Sequence, residues 1–398
     1  MPMMNGRICV FDLSSGESSE EPLENSFVVA KGLSTEVARH ISSAHGGGCL
    51  VLGSGILTGS PMPAACAGFV WCERGVAPVL GHAGLELKLS GFDFVVIKGV
   101  SDEPGYLWVR DGMTEFVPSP GLKGRDTWAR TDKVRDDQGD RRIHVLAAGP
   151  WGDAGLACSQ LVCDHWGGED KAGLAAELGR RNLVAVAFKG MGEIAVSEPA
   201  AHFESCVSLH SETRAKLGAS SGIASYFGGA DREDFRAITH RPLGCYGCPY
   251  PCRTFVKVRE DPRQMALVEK EPGYLHYDIP ALRLCFSLGL DARGATDVLT
   301  ACARAGAEPI AVLSHCSSAA GTVDPSAVSR LLGAPRELGP PPADRLAGEV
   351  MRSFDDDAMD RAVLGLGLCP RFWSKAGLGH ESLSACIVTA LGTGVPIR

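Results

Sequence analysis

Four cysteines constrain this chain more than any other feature. Cys245, Cys248 and Cys252 share one short run, Gly-Cys-Tyr-Gly-Cys-Pro-Tyr-Pro-Cys-Arg, and Cys369 follows 117 positions later in Gly-Leu-Cys-Pro. C-x2-C-x3-C with one remote thiol is a ligand set for a [4Fe–4S] cluster: the close trio caps three corners of a cube, and the fourth corner takes a thiolate from elsewhere. A fold that uses all four must carry a distant segment back to this loop. Structural zinc also uses thiolates at C-x2-C spacing, normally as two short paired units. The x3 spacing, the prolines in the loop and the solitary fourth cysteine favour the cluster over zinc. A C-x-x-C redox dithiol leaves Cys252 unexplained. Unligated core cysteines are a further alternative, but three thiols among Gly and Pro do not resemble helix packing.

A chain of 398 residues is long enough for two or three domains. Acidic residues outnumber basic ones, 47 to 39, for a net charge of −8, which argues against a nucleic-acid partner. There are 15 cysteines, an odd number, and the start, Met-Pro-Met-Met-Asn-Gly-Arg, shows no signal peptide. A reduced, cytoplasmic protein with a metal site is expected. Cys9, Cys49, Cys158 and Cys302 read as small core residues in apolar surroundings. The stretch from Cys49 to Cys72 lacks charge and is long enough to cross a bilayer. Pro61, Pro63 and several Gly, Ser and Thr break it, so two buried strands joined by a turn-rich loop are expected instead of a membrane span.

The patterning predicts an α+β protein with a β-rich N-terminal domain over residues 1–198 and a helical region over 199–398. Strands are expected at Arg7–Leu13, ending in a Ser14–Gly16 turn, and at Phe92–Lys98, Tyr106–Arg110, Ile143–Ala148 and Leu183–Phe188. Short helices are expected at Thr35–Ser43 and Lys171–Leu178. In the second half, three- and four-residue apolar spacing predicts helices at His202–Leu217, Pro280–Leu288, Ala295–Ala305, Pro325–Leu332 and Ala343–Phe354. Gly339–Pro342 reads as a stiff connector and Asp355–Asp357 as a solvated helix end.

Cys245-Tyr-Gly-Cys-Pro-Tyr-Pro-Cys252 resembles the cluster motif of the aldehyde ferredoxin oxidoreductase family of tungsten–pterin enzymes. So, in order, do Gly6-Arg7 with Asp12–Gly16, Leu57-Thr-Gly-Ser60, Leu87–Gly99, Gly149-Pro150, Gly179–Leu183 with Ala185, Leu288–Asp291 and Gly367-Leu-Cys369. The resemblance implies a β-saddle N-terminal domain supporting a bis-pterin tungsten or molybdenum centre, helical domains over it, and a [4Fe–4S] cluster beside the pterin that passes electrons to ferredoxin or another redox protein. The implied reaction is oxidation of an aldehyde to a carboxylate with oxygen from water. Gly81, Gly84, Lys171 and Asp291 are the candidate pterin contacts; the cluster ligands are Cys245, Cys248, Cys252 and Cys369.

Departures fall on the pterin and substrate positions. The leading Asp of the family's two Asp-x-x-Gly-Leu motifs is Phe286 in one and Leu364 in the other. An apolar side chain accepts no hydrogen bond, and each buried donor left unpaired costs roughly 1–3 kcal/mol. The family's arginine between pterin and cluster falls at about Ala67. Its Asn-Ser-Gly-Gly loop reads Pro78-Val-Leu-Gly81, its Gly-Arg-Gly-Gly turn Asp170-Lys-Ala-Gly173, and its Pro-Glu-Tyr-Glu Pro272-Gly-Tyr-Leu275. A family insert with the catalytic histidine is missing between Asp291 and Cys369; His315 and His380 are candidates only by default and read as surface or core residues. Three functions follow: a divergent pterin oxidoreductase; a [4Fe–4S] electron-transfer or scaffold subunit, with a full-length catalytic paralogue as a candidate partner; or a zinc-stabilised binding protein.

Overall fold

Runs of β-branched and aromatic residues cut by glycine turns build two sheets in the N-terminal half. The computed structural model describes residues 2–25, 28, 34–217, 232–257, 274–276, 278–318, 321–338, 358–376 and 380–392. The expected features at 339–357 and at Pro272 and Gly273 lie outside these residues.

The first sheet contains β1 (Arg7–Asp12), β2 (Glu17–Pro22), β3 (Leu50–Ser54), β4 (Gly68–Cys72), β5 (Gly75–Val79) and β6 (Phe94–Lys98), in the order β2-β1-β6-β3-β4-β5. β1 runs parallel to β6, and the other pairs are antiparallel. The charge-free stretch from Cys49 to Cys72 thus forms two buried, paired strands, β3 and β4, as its turn residues indicate. The second sheet contains β7 (Gly105–Arg110), β8 (Met113–Pro118), β9 (His144–Ala147), β10 (Val162–Cys163) and β11 (Leu183–Lys189), in the order β10-β9-β11-β7-β8. Phe11, Leu52, Val95 and Ile97 of the first sheet share one core with Leu107, Val109, Val186 and Phe188 of the second. The polar residues in Leu87–Gly99 have a packing reason. Lys88 Nζ lies 2.6 Å from Asp93 Oδ1, both buried, and Asp93 also accepts the Gly6 N–H at 2.7 Å. The cation and the backbone donor together offset the cost of burying this carboxylate.

Helices α1 (Thr35–Ala44), α2 (Ala83–Leu89), α3 (Thr127–Gln138), α4 (Pro150–Asp153) and α5 (Ala175–Arg180) connect the strands. Then follow α6 (Pro199–Leu217), α7 (Glu233–Ile238), α8 (Ile279–Ser287), α9 (Ala292–Ala305), α10 (Pro309–Cys316), α11 (Pro325–Leu332), α12 (Ala358–Gly365), α13 (Pro370–Ala376) and α14 (His380–Leu391). Asp278, Asp291, Glu308 and Asp324 cap α8 to α11 by accepting backbone N–H groups, and proline in the first turn of α8, α10 and α11 reinforces the start.

The expected α+β order holds, with one addition. β12 (Thr239–Leu243), β13 (Arg253–Val256) and β14 (Tyr274–His276) form an antiparallel sheet within the second half. β12 leads into the cysteine loop and β13 leads out. These strands are too short for periodicity to reveal beside so much Gly, Pro and Cys. Among the described residues, no helix is long and apolar enough to cross a membrane.

Candidate metal centre

Three chain segments meet at the cysteines. The first is the β12–β13 connection with Cys245, Cys248 and Cys252. Arg253 Nη2 donates to Gly244 O at 2.6 Å across its mouth, and Cys248 N donates to Cys245 O at 3.1 Å. Gly247, at φ +61°, supplies the left-handed turn between them. The second segment runs from the end of α12 through Gly367 to Cys369 at the start of α13. The third is the buried loop 55–67 between β3 and β4. Ala64 of this loop joins the other two: its N–H donates to Gly247 O at 3.2 Å, and its carbonyl accepts from Cys369 N at 3.1 Å. Leu57 N to Leu366 O at 2.8 Å and Ala67 N to Gly367 O at 2.9 Å extend the contact. The backbones approach so closely that a Cβ on Gly55 would lie 1.9 Å from Gly367 N.

The thiols act on one another. Burial, then Cys245, Cys252 and Cys248, push the Cys369 thiol well up. Cys245 is held below the ordinary thiol range by a hydrogen bond with Cys66, by the Gly81 N–H, and by the cations of Arg253 and Arg371. Arg371 Nη1 lies 3.7 Å from Cys252 Sγ, and its other amino group pairs with buried Glu169. Burial pushes Glu169 up to about 6, against the pull of Arg371. The two guanidinium groups pull toward thiolate, but burial outweighs them at Cys248, Cys252 and Cys369, whose thiols are raised, and of the four only Cys245 is lowered. Among the described residues, no three or more His, Cys, Asp and Glu side chains make a single-ion site. A cube takes one thiolate per corner, so its ligands stand further apart than ligands sharing one ion. The donor set suits a [4Fe–4S] group.

The other sequence-selected residues have varied surroundings. Gly81 belongs to the cysteine loop's support: its carbonyl accepts the Tyr246 N–H at 3.2 Å and its N–H serves Cys245. Gly84 is a close-approach residue, where a Cβ would lie 2.4 Å from Gly68 N and 2.6 Å from Cys66 O. Asp291 caps α9 through Gly294 N at 2.7 Å. Lys171 is sandwiched between Asp278 and Glu308, with 2.6 Å to Glu308 Oε1. His315 Nε2 meets Arg336 Nη2 at 3.1 Å at an exposed position; the His380 side chain lies outside the described residues.

The pterin positions carry packing instead of polar groups. Leu364 is fully buried, and Phe286 lies under Arg232, whose guanidinium carbon is 3.7 Å from the ring centroid. The Asp170–Gly173 turn is closed on itself. Asp170 accepts backbone N–H groups from Leu161 at 2.9 Å and from Ala172 and Ala175 at 3.1 Å. A concave set of backbone donors is where a phosphate oxygen would sit, and here an internal carboxylate fills it. Between this turn and Pro78–Leu80, the gap bordered by Val79, Leu161 and Gly168 has a volume of about 10 Å³, room for about one water. These residues do not fit a pterin.

Sequence reasoning did not single out Ala64, Cys66, Glu169 or Arg371 for the site. Arg371 stands two positions after Cys369 and was within reach of inspection. The others have no local signal, because long-range backbone pairing places them.

Residues 8–190 match the family model for the N-terminal domain of aldehyde ferredoxin oxidoreductase. The tungsten-containing aldehyde ferredoxin oxidoreductase of Thermococcus kodakarensis is 25% identical over 118 residues, which is 30% of this chain and 20% of that protein. The Pyrococcus furiosus protein of the same name is 23% identical over 212 residues, 48% of this chain and 34% of its own length. The matches thus span about a third or less of these relatives. A chain of the active site complex BamBC of benzoyl coenzyme A reductase, solved with 1,5-dienoyl-CoA, shares the fold with a TM-score of 0.63 and 15% identity, over 96% of this chain and 64% of that one. Residues 8–190 thus resemble the N-terminal domain of aldehyde ferredoxin oxidoreductase, and the chain shares that region with these tungsten-containing relatives at 23–25% identity.

Proposed function

We propose that this protein holds one [4Fe–4S] cluster on Cys245, Cys248, Cys252 and Cys369 and transfers single electrons on a scaffold that does not seat a pterin. One contrast supports the reading. Ala64 bonds to the backbone of both cysteine segments, while Asp170 fills the donor nest of the turn that resembles a pterin-side turn. When bound, such a cluster takes up and releases one electron at a time. The chain's own residues do the rest. Arg253 and Arg371 bring positive charge to the sulfurs, Gly81 aims a backbone N–H at Cys245, and the Cys248 thiol meets the Tyr250 carbonyl at 3.4 Å. Hydrogen bonds to sulfur and burial are the levers that set the potential of such a site. Gly247 and Pro249 are exposed, so the loop lies at the surface, within reach of a redox protein. Ferredoxin, another carrier or a full-length catalytic relative suits this role.

A second reading, pterin-dependent aldehyde oxidation, is favoured by the domain match over residues 8–190. Metal analysis of anaerobically purified protein separates the readings. Roughly four irons per chain without tungsten or molybdenum is the expected result. Stoichiometric tungsten or molybdenum would return the catalytic reading. Zinc without iron after anaerobic reconstitution would refute both. Cys369→Ala is expected to leave a three-iron or depleted cluster; unchanged iron content and EPR spectrum would remove Cys369 from the ligand set.

A further inference from the structure

A fifth thiol shares the pocket. Cys66 is fully buried, and its thiol is hydrogen-bonded to that of Cys245. Cys369 and Cys248 also act on it through space, and Cys66 is buried in the same cluster as Cys252 and Cys369, with Cys245 and Cys248 packed against it. Its position is set by the bonds that set theirs. Ala64, two residues earlier, holds Gly247 and Cys369, and Ala67, one residue later, donates to Gly367 O. The missing Cβ of Gly84 leaves room for the Cys66 carbonyl, which would otherwise be met at 2.6 Å. Cys206 and Cys386 form a comparable thiol pair between α6 and α14, but no proposed ligand acts on either of them.

We propose that Cys66 is a reserve ligand for the cluster corner held by Cys245. When Cys245 does not bind, the Cys66 S–H gives its proton to solvent and its thiolate takes the open iron. One Fe–S bond replaces another, and no electron is gained or lost. A metal deprotonates the thiol that coordinates it, so the hydrogen bond to Cys245 and the burial that raise the free Cys66 thiol are no bar to ligation. The inference rests on the cluster reading above.

The test is anaerobic reconstitution followed by iron analysis and EPR of the reduced protein, for wild type, C66A, C245A, C248A and C66A/C245A. Wild type, C66A and C245A are expected to hold about four irons each, whereas C248A and the double variant fall to about three or fewer. Depletion of C245A to the level of the double variant overturns the inference, as does a double variant that keeps its iron. Loss of iron from C66A alone would make Cys66 an obligatory ligand and not a reserve. If C245A does not fold, diamide treatment of chelator-stripped wild type takes both thiol hydrogens onto its nitrogen–nitrogen bond and leaves a Cys66–Cys245 disulfide. Absence of that linked peptide in mass spectra removes the geometric premise. Wild type without iron defeats the cluster reading itself, whereas iron-replete wild type with depleted C245A defeats the reserve ligand alone.

Discussion

Replacing Lys171 with methionine tests whether this cation serves the fold. Its ammonium lies between Asp278 and Glu308, and the three side chains are only 13%, 6% and 9% exposed. Burial alone would lower the lysine's pKa, but the two carboxylates outweigh it and hold the group charged. Each carboxylate also caps a helix, Asp278 through Ala281 N at 3.0 Å and Glu308 through Ala311 N at 2.7 Å. Lys171→Met keeps most of the apolar stem and removes the charge. Breaking a buried ion pair from one side costs about 3–5 kcal/mol, because the remaining charge is left without a partner. The helix N-termini offset about 0.3–1 kcal/mol at each acid. A net loss of about 3 kcal/mol is expected in urea unfolding of the cluster-free, reduced protein. Adding Asp278→Asn and Glu308→Gln should recover most of it, since the three sites form one network. A loss below about 1 kcal/mol, or a triple variant no better than K171M, would refute the reasoning and reopen a ligand-binding role for Lys171.

Two further predictions concern the cysteine segment and pH. Gly367 has φ +87°, and a Cβ there would meet Thr58 Oγ1 at 2.2 Å, whereas Gly289 has φ +83° with nothing within 4 Å. Gly289→Ala should cost about 1–2 kcal/mol from backbone conformation alone. Gly367→Ala should cost clearly more and also deplete iron; equal losses in thermal melts and full iron in both would show that the close packing is unimportant. His144 Nδ1 lies 2.8 Å from Asp164 Oδ2, and Arg135 Nη2 is 2.8 Å from Asp164 Oδ1. Burial would lower the His144 pKa, but Asp164 raises it above the ordinary 6.5. Burial would likewise raise Asp164, yet His144 and Arg135 hold it far below 3.8. The His144 contribution is therefore complete below pH 6.5 and lost as pH rises through its raised folded value. The Asp164 contribution is present above 3.8 and lost as pH falls through its depressed folded value. In His144→Gln, the alkaline decline between roughly pH 6 and 9 should flatten; denaturant curves parallel to wild type over that range would count against the pair.

The sequence by itself determined what depends on neighbours a few residues apart. Strands β1, β6, β7, β9 and β11 and helices α6, α8, α9 and α11 follow from short-range apolar repeats, and the acid-then-proline caps set several helix starts. The cysteine spacing marked the candidate ligands because cluster chemistry limits which thiols share a loop. Only the tertiary structure decided what depends on close approach between distant segments. Ala64 carries no side-chain signal, yet its two backbone bonds bring Gly247 and Cys369 together. Lys171 reads as a candidate pterin contact until Asp278 and Glu308 arrive from more than a hundred residues away. Asp170 reads as one more acid until the N–H groups of Leu161, Ala172 and Ala175 close round it. A side chain's charge is written in the sequence, but whether that charge is free for a ligand depends on which other groups the fold buries beside it.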